Sequence, residues 1–498
     1  MSTFDYKELT REELDSIFVD FPFMIEPMWH QLVSMAFSAD HSRVMFLHGV
    51  GTGKTLTSLW CSKLWGNKKI LVVCPPSAFS AWERDLSQYT DYSYDFLVGS
   101  GRERKAKLKK NRNVFIINYE GLKTIFCNLV KGQGWRINAK SFIYNFDCLI
   151  LDEIHKCQSY KSLQSRICLR LSNLARDVVG LTGTGFDKSL LDAFNIYRAV
   201  DLGSSLGNNF FFYRMNYFKP AGFDWVPRPN AEEKILKKLS RCTLSFERKE
   251  CFDLPEIQEV VRSIEPSQEF LDLQHKIISD KMLKIGEAEI QLENRNVEDE
   301  DERRRKSRTV RGRLLRELSG GFIYYKDEHG EKQAYRIKKN TKLIALMDLI
   351  EDTSGKIIIF HRFTEAGEII QQALSENKYN FVTIRGGQKA EERTAQVKKF
   401  QTNKTVKCAI VQQTAGAEGW DGSAAHVAVF FDIVGSPKVR KQCVGRIHRK
   451  GQESPCLVVD LELKNSVDKK TLKNRGERFS FVKSVMEYIR EYGGVETV

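Results

Sequence analysis

Residues 44–60 leave few folds open to this chain. The apolar run Val44-Met45-Phe46-Leu47 leads directly into His48-Gly49-Val50-Gly51-Thr52-Gly53-Lys54-Thr55, and a helix-like segment begins at Leu56. A buried strand, a glycine-rich turn and a helix N-terminus, in that order, make the context in which Gly-Lys-Thr binds phosphate. Glycines let successive backbone N–H groups converge on phosphate oxygens, the lysine adds a point charge, and the threonine hydroxyl can ligate Mg²⁺. Gly51, Thr52, Gly53, Lys54 and Thr55 are therefore expected to hold a nucleoside triphosphate. His48 stands where the usual pattern has its first glycine. A tight packing turn would use the same residues, so the reading depends on partners elsewhere in the chain.

The strongest partner is Cys148-Leu149-Ile150-Leu151-Asp152-Glu153-Ile154-His155, an apolar strand that ends in adjacent carboxylates. Asp152 at a strand tip can hold the water shell of Mg²⁺ opposite Thr55, and Glu153 can orient and deprotonate an attacking water. Further buried strands are expected at 70–74, 114–120 and 178–181, separated by helical segments. Strands alternating with helices imply a doubly wound parallel sheet with its ligands at the carboxyl ends of the strands.

From about residue 256 to 339 long, charge-rich, helix-like segments replace this pattern. Glu298-Asp299-Glu300-Asp301-Glu302 runs into Arg303-Arg304-Arg305-Lys306, a block that either pairs with itself or offers its arginines to a polyanion. Strand grammar resumes at 356–360 and continues at 381–384, 408–411 and 427–431, which predicts a second α/β sheet. The expected divisions are 1–250, a helical linker or protrusion over 251–340, and 341–498 with C-terminal helices packed on the second lobe. Arg446 and Arg449, three apart in Gly445-Arg446-Ile447-His448-Arg449, would project from one helix face toward a γ-phosphate.

Bulk numbers narrow the class. A chain of 498 residues suggests two or three domains. No apolar run approaches the roughly 18 residues that span a bilayer, and the N-terminus lacks the layout of a secretion signal, so no membrane association is expected. The 11 cysteines are scattered without a Cys-x-x-Cys pair and read as small core residues in a reducing cytoplasm. The basic excess of 78 − 64 = 14 charges points to a polyanionic partner.

Taken together, Gly-Thr-Gly-Lys-Thr, Val-Val-Cys-Pro-Pro-Ser, Asn-Tyr-Glu, Asp-Glu-Ile-His-Lys, Leu-Thr-Gly-Thr and Arg-Ile-His-Arg-Lys-Gly-Gln resemble the motif series of superfamily-two helicases, most closely the SWI/SNF-like branch. The chain departs from that branch at Ile154, where alanine is usual, at Gly185, where proline is usual, and at Gly419-Trp420-Asp421. The resemblance implies an α/β fold of two tandem RecA-like domains and an ATP hydrolase that uses Mg²⁺. It implies that Gln31 reads the adenine edge, that Gly419 and Asp421 reach the nucleotide, and that His155, Thr182, Thr184 and Gln442 couple the ATP site to neighbouring motifs. It further implies a DNA partner, held through phosphates with little base preference by a motor active as a monomer. Unwinding or branch migration of forked DNA is favoured, with SWI/SNF-type duplex translocation and RNA unwinding as the alternatives. A non-enzymatic scaffold is disfavoured, because no needed catalytic residue is missing.

Overall fold

The computed structural model describes residues 3–132, 134–183, 189–222, 224–280, 282–285, 288–292, 300–416 and 420–497. The chain divides into two units, one of residues 1–253 with 480–498 and one of residues 254–479.

In the first unit, strands β1 (Arg43–Phe46), β2 (Ile70–Cys74), β3 (Tyr94–Phe96), β4 (Val114–Asn118), β5 (Cys148–Asp152), β6 (Asp177–Leu181) and β7 (Thr243–Leu244) build a seven-stranded sheet in the order β7-β1-β6-β5-β2-β4-β3. Every pairing in it is parallel. The central strands are buried throughout, as a sheet covered by helices on both faces requires. One face packs Met45, Leu71, Phe115, Leu149 and Val178 against α4 (Leu163–Leu174) and α5 (Ala193–Asp201). The other packs Val44, Phe46, Ile70, Ile116 and Ile150 against α1 (Trp29–Asp40), α2 (Lys54–Leu64) and α3 (Phe79–Tyr89).

In the second unit, β8 (Ile257–Ile264), β9 (Lys356–His361), β10 (Asn380–Ile384), β11 (Val406–Gln412), β12 (Ala425–Phe430) and β13 (Cys456–Leu463) form a six-stranded parallel sheet in the order β8-β13-β12-β9-β11-β10. The doubly wound architecture expected from the sequence is present in each unit.

Two expectations change. The stretch after residue 256 is not purely helical: Ile257–Ile264 pairs along its whole length with Cys456–Leu463, and hairpins occupy Met282–Ile285 with Ala288–Gln291 and Phe322–Lys326 with Lys332–Arg336. An edge strand buries only part of its surface, so Gln258, Glu259 and Arg262 dilute its apolar signal. The C-terminal residues also differ. Val485, Met486 and Ile489, toward the end of the helix Val467–Tyr492, enter the core of the first unit, and Thr3–Asp5 pairs with Val495–Thr497. No local pattern marks which core an apolar helix face will join.

All 11 cysteines are free thiols. Among the described residues no helix is long and apolar enough to cross a membrane.

Candidate active site

The register of the first sheet brings three strand ends level. Phe46 pairs with Leu181, and Leu181 with Asp152, so the tips of β1, β6 and β5 lie side by side. At interstrand spacings near 4.8 Å, the phosphate loop and the Asp-Glu pair start roughly 10 Å apart. That is the scale of a triphosphate with its metal.

The loop is a set of tethered carbonyls. Lys54 Nζ donates to the carbonyls of His48 (2.9 Å) and Gly49 (2.8 Å), and Thr52 Oγ1 donates to Gly49 (2.8 Å). The Thr52 carbonyl meets His30 Nε2 at 2.8 Å, and that of Gly53 accepts from Gln31 Nε2 at 3.4 Å. Arg248 Nε donates to the Val50 carbonyl. Carbonyls already engaged by side chains leave the amide side of the turn for an anion. Gly51 and Gly53 have φ of 85° and 79°, the left-handed region that only glycine enters at little cost. A Cβ on Gly53 would also lie 2.6 Å from Gln31 Nε2.

His48 takes the place of a glycine by turning away from the loop. It is fully buried, stacked on Phe46 at 4.9 Å and edge-on to Phe246 at 5.3 Å. Burial holds its pKa well below the usual histidine value, so the ring stays neutral beside Lys54.

At the facing strand end, Trp82 Nε1 donates to Asp152 Oδ2 at 3.0 Å, and Tyr119 Oη donates to the Asp152 carbonyl at 2.8 Å. Glu153 adopts φ 52°, and its Oε2 lies 3.0 Å from His155 Nδ1. A non-glycine residue in this conformation is strained by about 1 kcal/mol or more and is typical of a functional turn. Burial first, then the charge of Glu153, raises the Asp152 pKa to about 6. Two adjacent carboxylates, one of them short of compensating charge, are the donor set that a divalent cation relieves. Mg²⁺ needs no more than one or two protein carboxylates beside substrate phosphates.

Ile154, the departure from Asp-Glu-Ala-His, has a packing reason. It is fully buried, and a Cβ on Gly180 would meet Ile154 Cδ1 at 3.0 Å and Val200 Cγ2 at 2.8 Å. The larger side chain fills space left by the glycine in β6.

Thr182 is buried at the tip of β6, its N–H donating to Phe46 at 3.1 Å, and the next residue, Gly183, would place a Cβ 2.8 Å from Val50 Cγ2. The strand end predicted to couple therefore touches the phosphate loop. Thr184, Gly185 and Gly419 lie outside the described residues. Gln31 is buried, with its Oε1 accepting from Met28 N at 2.9 Å while its amide reaches Gly53. Thr55 sits in the first turn of α2.

In the second unit, the helix Pro437–Ile447 carries Gln442 and Arg446, both 9% exposed. Arg449 is not on the same helix, as the three-residue spacing suggested, because the chain leaves helical geometry at His448 (φ −92°, ψ 84°). Both guanidiniums nevertheless converge on the Trp420 carbonyl, each through Nη1 at 3.3 Å, and Arg449 Nη1 lies 3.7 Å from Asp421 Oδ1. Arg440, six residues earlier on the same helix, is structural: it is buried on Asp460 (3.0 Å) and Glu259 (2.8 Å), and Arg475 shares Asp460 at 2.7 Å.

Sequence reasoning missed Trp82, Tyr119, His30 and Arg248. Trp82 lies 70 residues before Asp152, and nothing in the sequence ties the two together.

A family model described as "Helicase conserved C-terminal domain" matches residues 339–451, and one described as "Type III restriction enzyme, res subunit" matches 23–187. Among curated proteins, the DNA repair and recombination protein RDH54 of Saccharomyces cerevisiae is 25% identical over 447 residues, covering 82% of this chain and 45% of that protein. The SWI/SNF-related matrix-associated actin-dependent regulator of chromatin subfamily A-like protein 1 homolog of Caenorhabditis elegans is 23% identical over 464 residues, covering 90% and 60%. The putative ATP-dependent helicase/translocase YwqA of Bacillus subtilis is 24% identical over 394 residues, covering 77% and 39%. The chain thus spans about half the length of the curated relatives it matches. The Sulfolobus solfataricus SWI2/SNF2 ATPase core in complex with dsDNA aligns over 93% of both chains at 18% identity with a TM-score of 0.43.

Proposed function

Because the chain belongs to the SNF2-like branch of the superfamily-two helicases, we propose that it is a DNA-dependent ATPase that converts ATP hydrolysis into movement along DNA. The observation that carries this reading is the alignment of the Lys54 loop with Asp152 and Glu153 at one edge of one parallel sheet. Lys54 leaves the His48 and Gly49 carbonyls for the β- and γ-phosphates, and the loop amides and the first turn of α2 hold the rest of the chain of phosphates. Gln31, beside the loop, serves the adenine edge. Thr55 and Asp152 would hold Mg²⁺, which, when bound, neutralises phosphate oxygens as charge develops on them. Glu153 orients the attacking water and takes its proton, with His155 fixing the carboxylate. Arg446 and Arg449 stabilise the γ-phosphate in the transition state. Asp421 beside Arg449, Gln442 and Thr182 carry nucleotide state to the nucleic-acid contacts.

Alternate states favoured by ATP and by its products would step the units along a strand, each ligand biasing the equilibrium by its differential affinity. The basic balance of the chain favours a phosphate-backbone track. Branched DNA is the preferred form in this reading, and one relative is named for DNA repair and recombination. Displacement of proteins from duplex, in the manner of SWI/SNF motors, is the second reading, favoured by the relative of that name.

The test is ATPase activity with single-stranded DNA, duplex, fork, four-way junction and RNA. Forks and junctions are expected to stimulate most, and stimulation should fall steeply with salt. A maximum on duplex moves the reading to the second form, and a maximum on RNA refutes both.

The raised pKa of Asp152 gives a separate expectation. Protonated Asp152 cannot ligate a cation, so proton and Mg²⁺ compete below about pH 6 and not above it. The Mg²⁺ concentration for half-maximal hydrolysis should therefore be flat from pH 7.5 to 6.5 and rise about tenfold per pH unit below 6. A Mg²⁺ requirement unchanged at pH 5 would contradict the assignment.

A further inference from the structure

We propose that Arg248 is a positioning residue for the phosphate loop and that the end of the C-terminal helix anchors it. The inference rests on the nucleotide site assigned above and adds a group to it from beyond the last strand of the sheet.

After β7 the chain crosses the loop rather than leaving the sheet. Gly49 N donates to the Phe246 carbonyl at 2.8 Å, and Ser245 Oγ donates to Leu47 at 3.0 Å. Arg248, at the start of the one-turn helix Arg248–Cys251, then lies across the turn itself. Its Nε donates to the Val50 carbonyl, a Cβ on Gly49 would meet its Cγ at 3.1 Å and its N at 3.2 Å, and a Cβ on Gly51 would meet Nη2 at 3.9 Å. With its stem over Gly49 and its rigid guanidinium beside Gly51, Arg248 restrains the peptide between the two glycines, which have the most backbone freedom to lose. Val50 is also the residue against which Gly183 packs, so the restraint and the coupling strand meet at one loop position.

The segment is itself fixed at its base. Glu247 Oε1 pairs with Arg490 Nη2 at 3.3 Å, and the Arg490 carbonyl accepts from Lys7 Nζ at 2.6 Å. Lys7 also sits 5.3 Å over the Phe246 ring. Residues from the first ten and the last ten of the chain thus hold the strip that holds the loop. Neither the glycine pattern nor the carboxylate pair gives any hint of this arrangement.

A loop already fixed binds phosphates without the cost of ordering itself, so the effect belongs to nucleotide affinity more than to the chemical step. The experiment measures Kd for a fluorescent ATP analogue, KM and kcat for ATP, and thermal stability in the full chain. Arg248→Met keeps the apolar stem over Gly49 and removes the donor. It should raise Kd and KM about tenfold, the effect of one charge-assisted hydrogen bond, with kcat at saturation within about threefold. Arg248→Lys, which restores a donor, should recover most of the loss. Arg490→Ala and Glu247→Gln should each raise Kd about threefold and show no further effect when combined, as members of one contact do.

Unchanged Kd and KM in Arg248→Met would overturn the positioning role. Unchanged Kd in both anchor variants would remove the C-terminal helix from the proposal. If the unaltered chain fails to bind the analogue, the nucleotide site itself is wrong. If it binds and Lys54→Ala does not, while Arg248→Met binds normally, only the present inference fails.

Discussion

Lys54→Ala is expected to lower ATP hydrolysis by three orders of magnitude or more, to the limit of detection, with the fold intact. The lysine supplies the one point charge of the phosphate loop, and phosphoryl transfer depends almost entirely on positioning and electrostatic stabilisation. Its ammonium rests on the His48 and Gly49 carbonyls, within the loop and not in the core, so its loss leaves both apolar faces of the sheet undisturbed. The hydrogen bonds given up are worth about 1 kcal/mol each in stability, against several kcal/mol of transition-state stabilisation. Circular dichroism and a melting curve beside the ATPase assay separate the two. Hydrolysis at the original rate in a folded Lys54→Ala chain would remove the site.

Arg446→Ala is expected to cost about a thousandfold in kcat, the typical worth of an arginine finger, while Kd for nucleotide changes only a few-fold. The asymmetry follows from when charge appears: a guanidinium that meets the γ-phosphate only in the transition state adds little to ground-state binding. Arg449→Ala should follow the same direction. Arg446 from the helix and Arg449 from just beyond its end also both bond the Trp420 carbonyl, so a purely structural role would appear as lost thermal stability with a proportionate loss in all kinetic constants. A single-turnover measurement with bound ATP distinguishes them. A kcat for Arg446→Ala within tenfold of the original would exclude the finger.

The parts legible in the sequence were those in which chemistry is written locally. Gly51, Gly53 and Lys54 announce an anion site because backbone conformation and charge are properties of a few adjacent residues. Asp152 and Glu153 stand out because a buried strand does not end in two carboxylates without a use for them. Both parallel sheets follow from apolar runs of strand length separated by helical ones. Harder to read was any element whose signal was diluted by exposure. Ile257–Ile264 carries charges on an edge strand, and the helix end at His448 separates two arginines that spacing alone placed on one face.

The sequence by itself determined two nucleotide-fold sheets, the loop and the carboxylates, since each is specified by neighbours along the chain. Tertiary structure alone decided that Trp82 steadies Asp152, that His48 turns into an aromatic pocket, that Arg248 spans the loop, and that the last helix joins the first core. Those contacts join residues far apart in number, and burial and hydrogen-bond geometry choose among many equivalent tryptophans, arginines and apolar faces only once the sheet has brought its strand ends together.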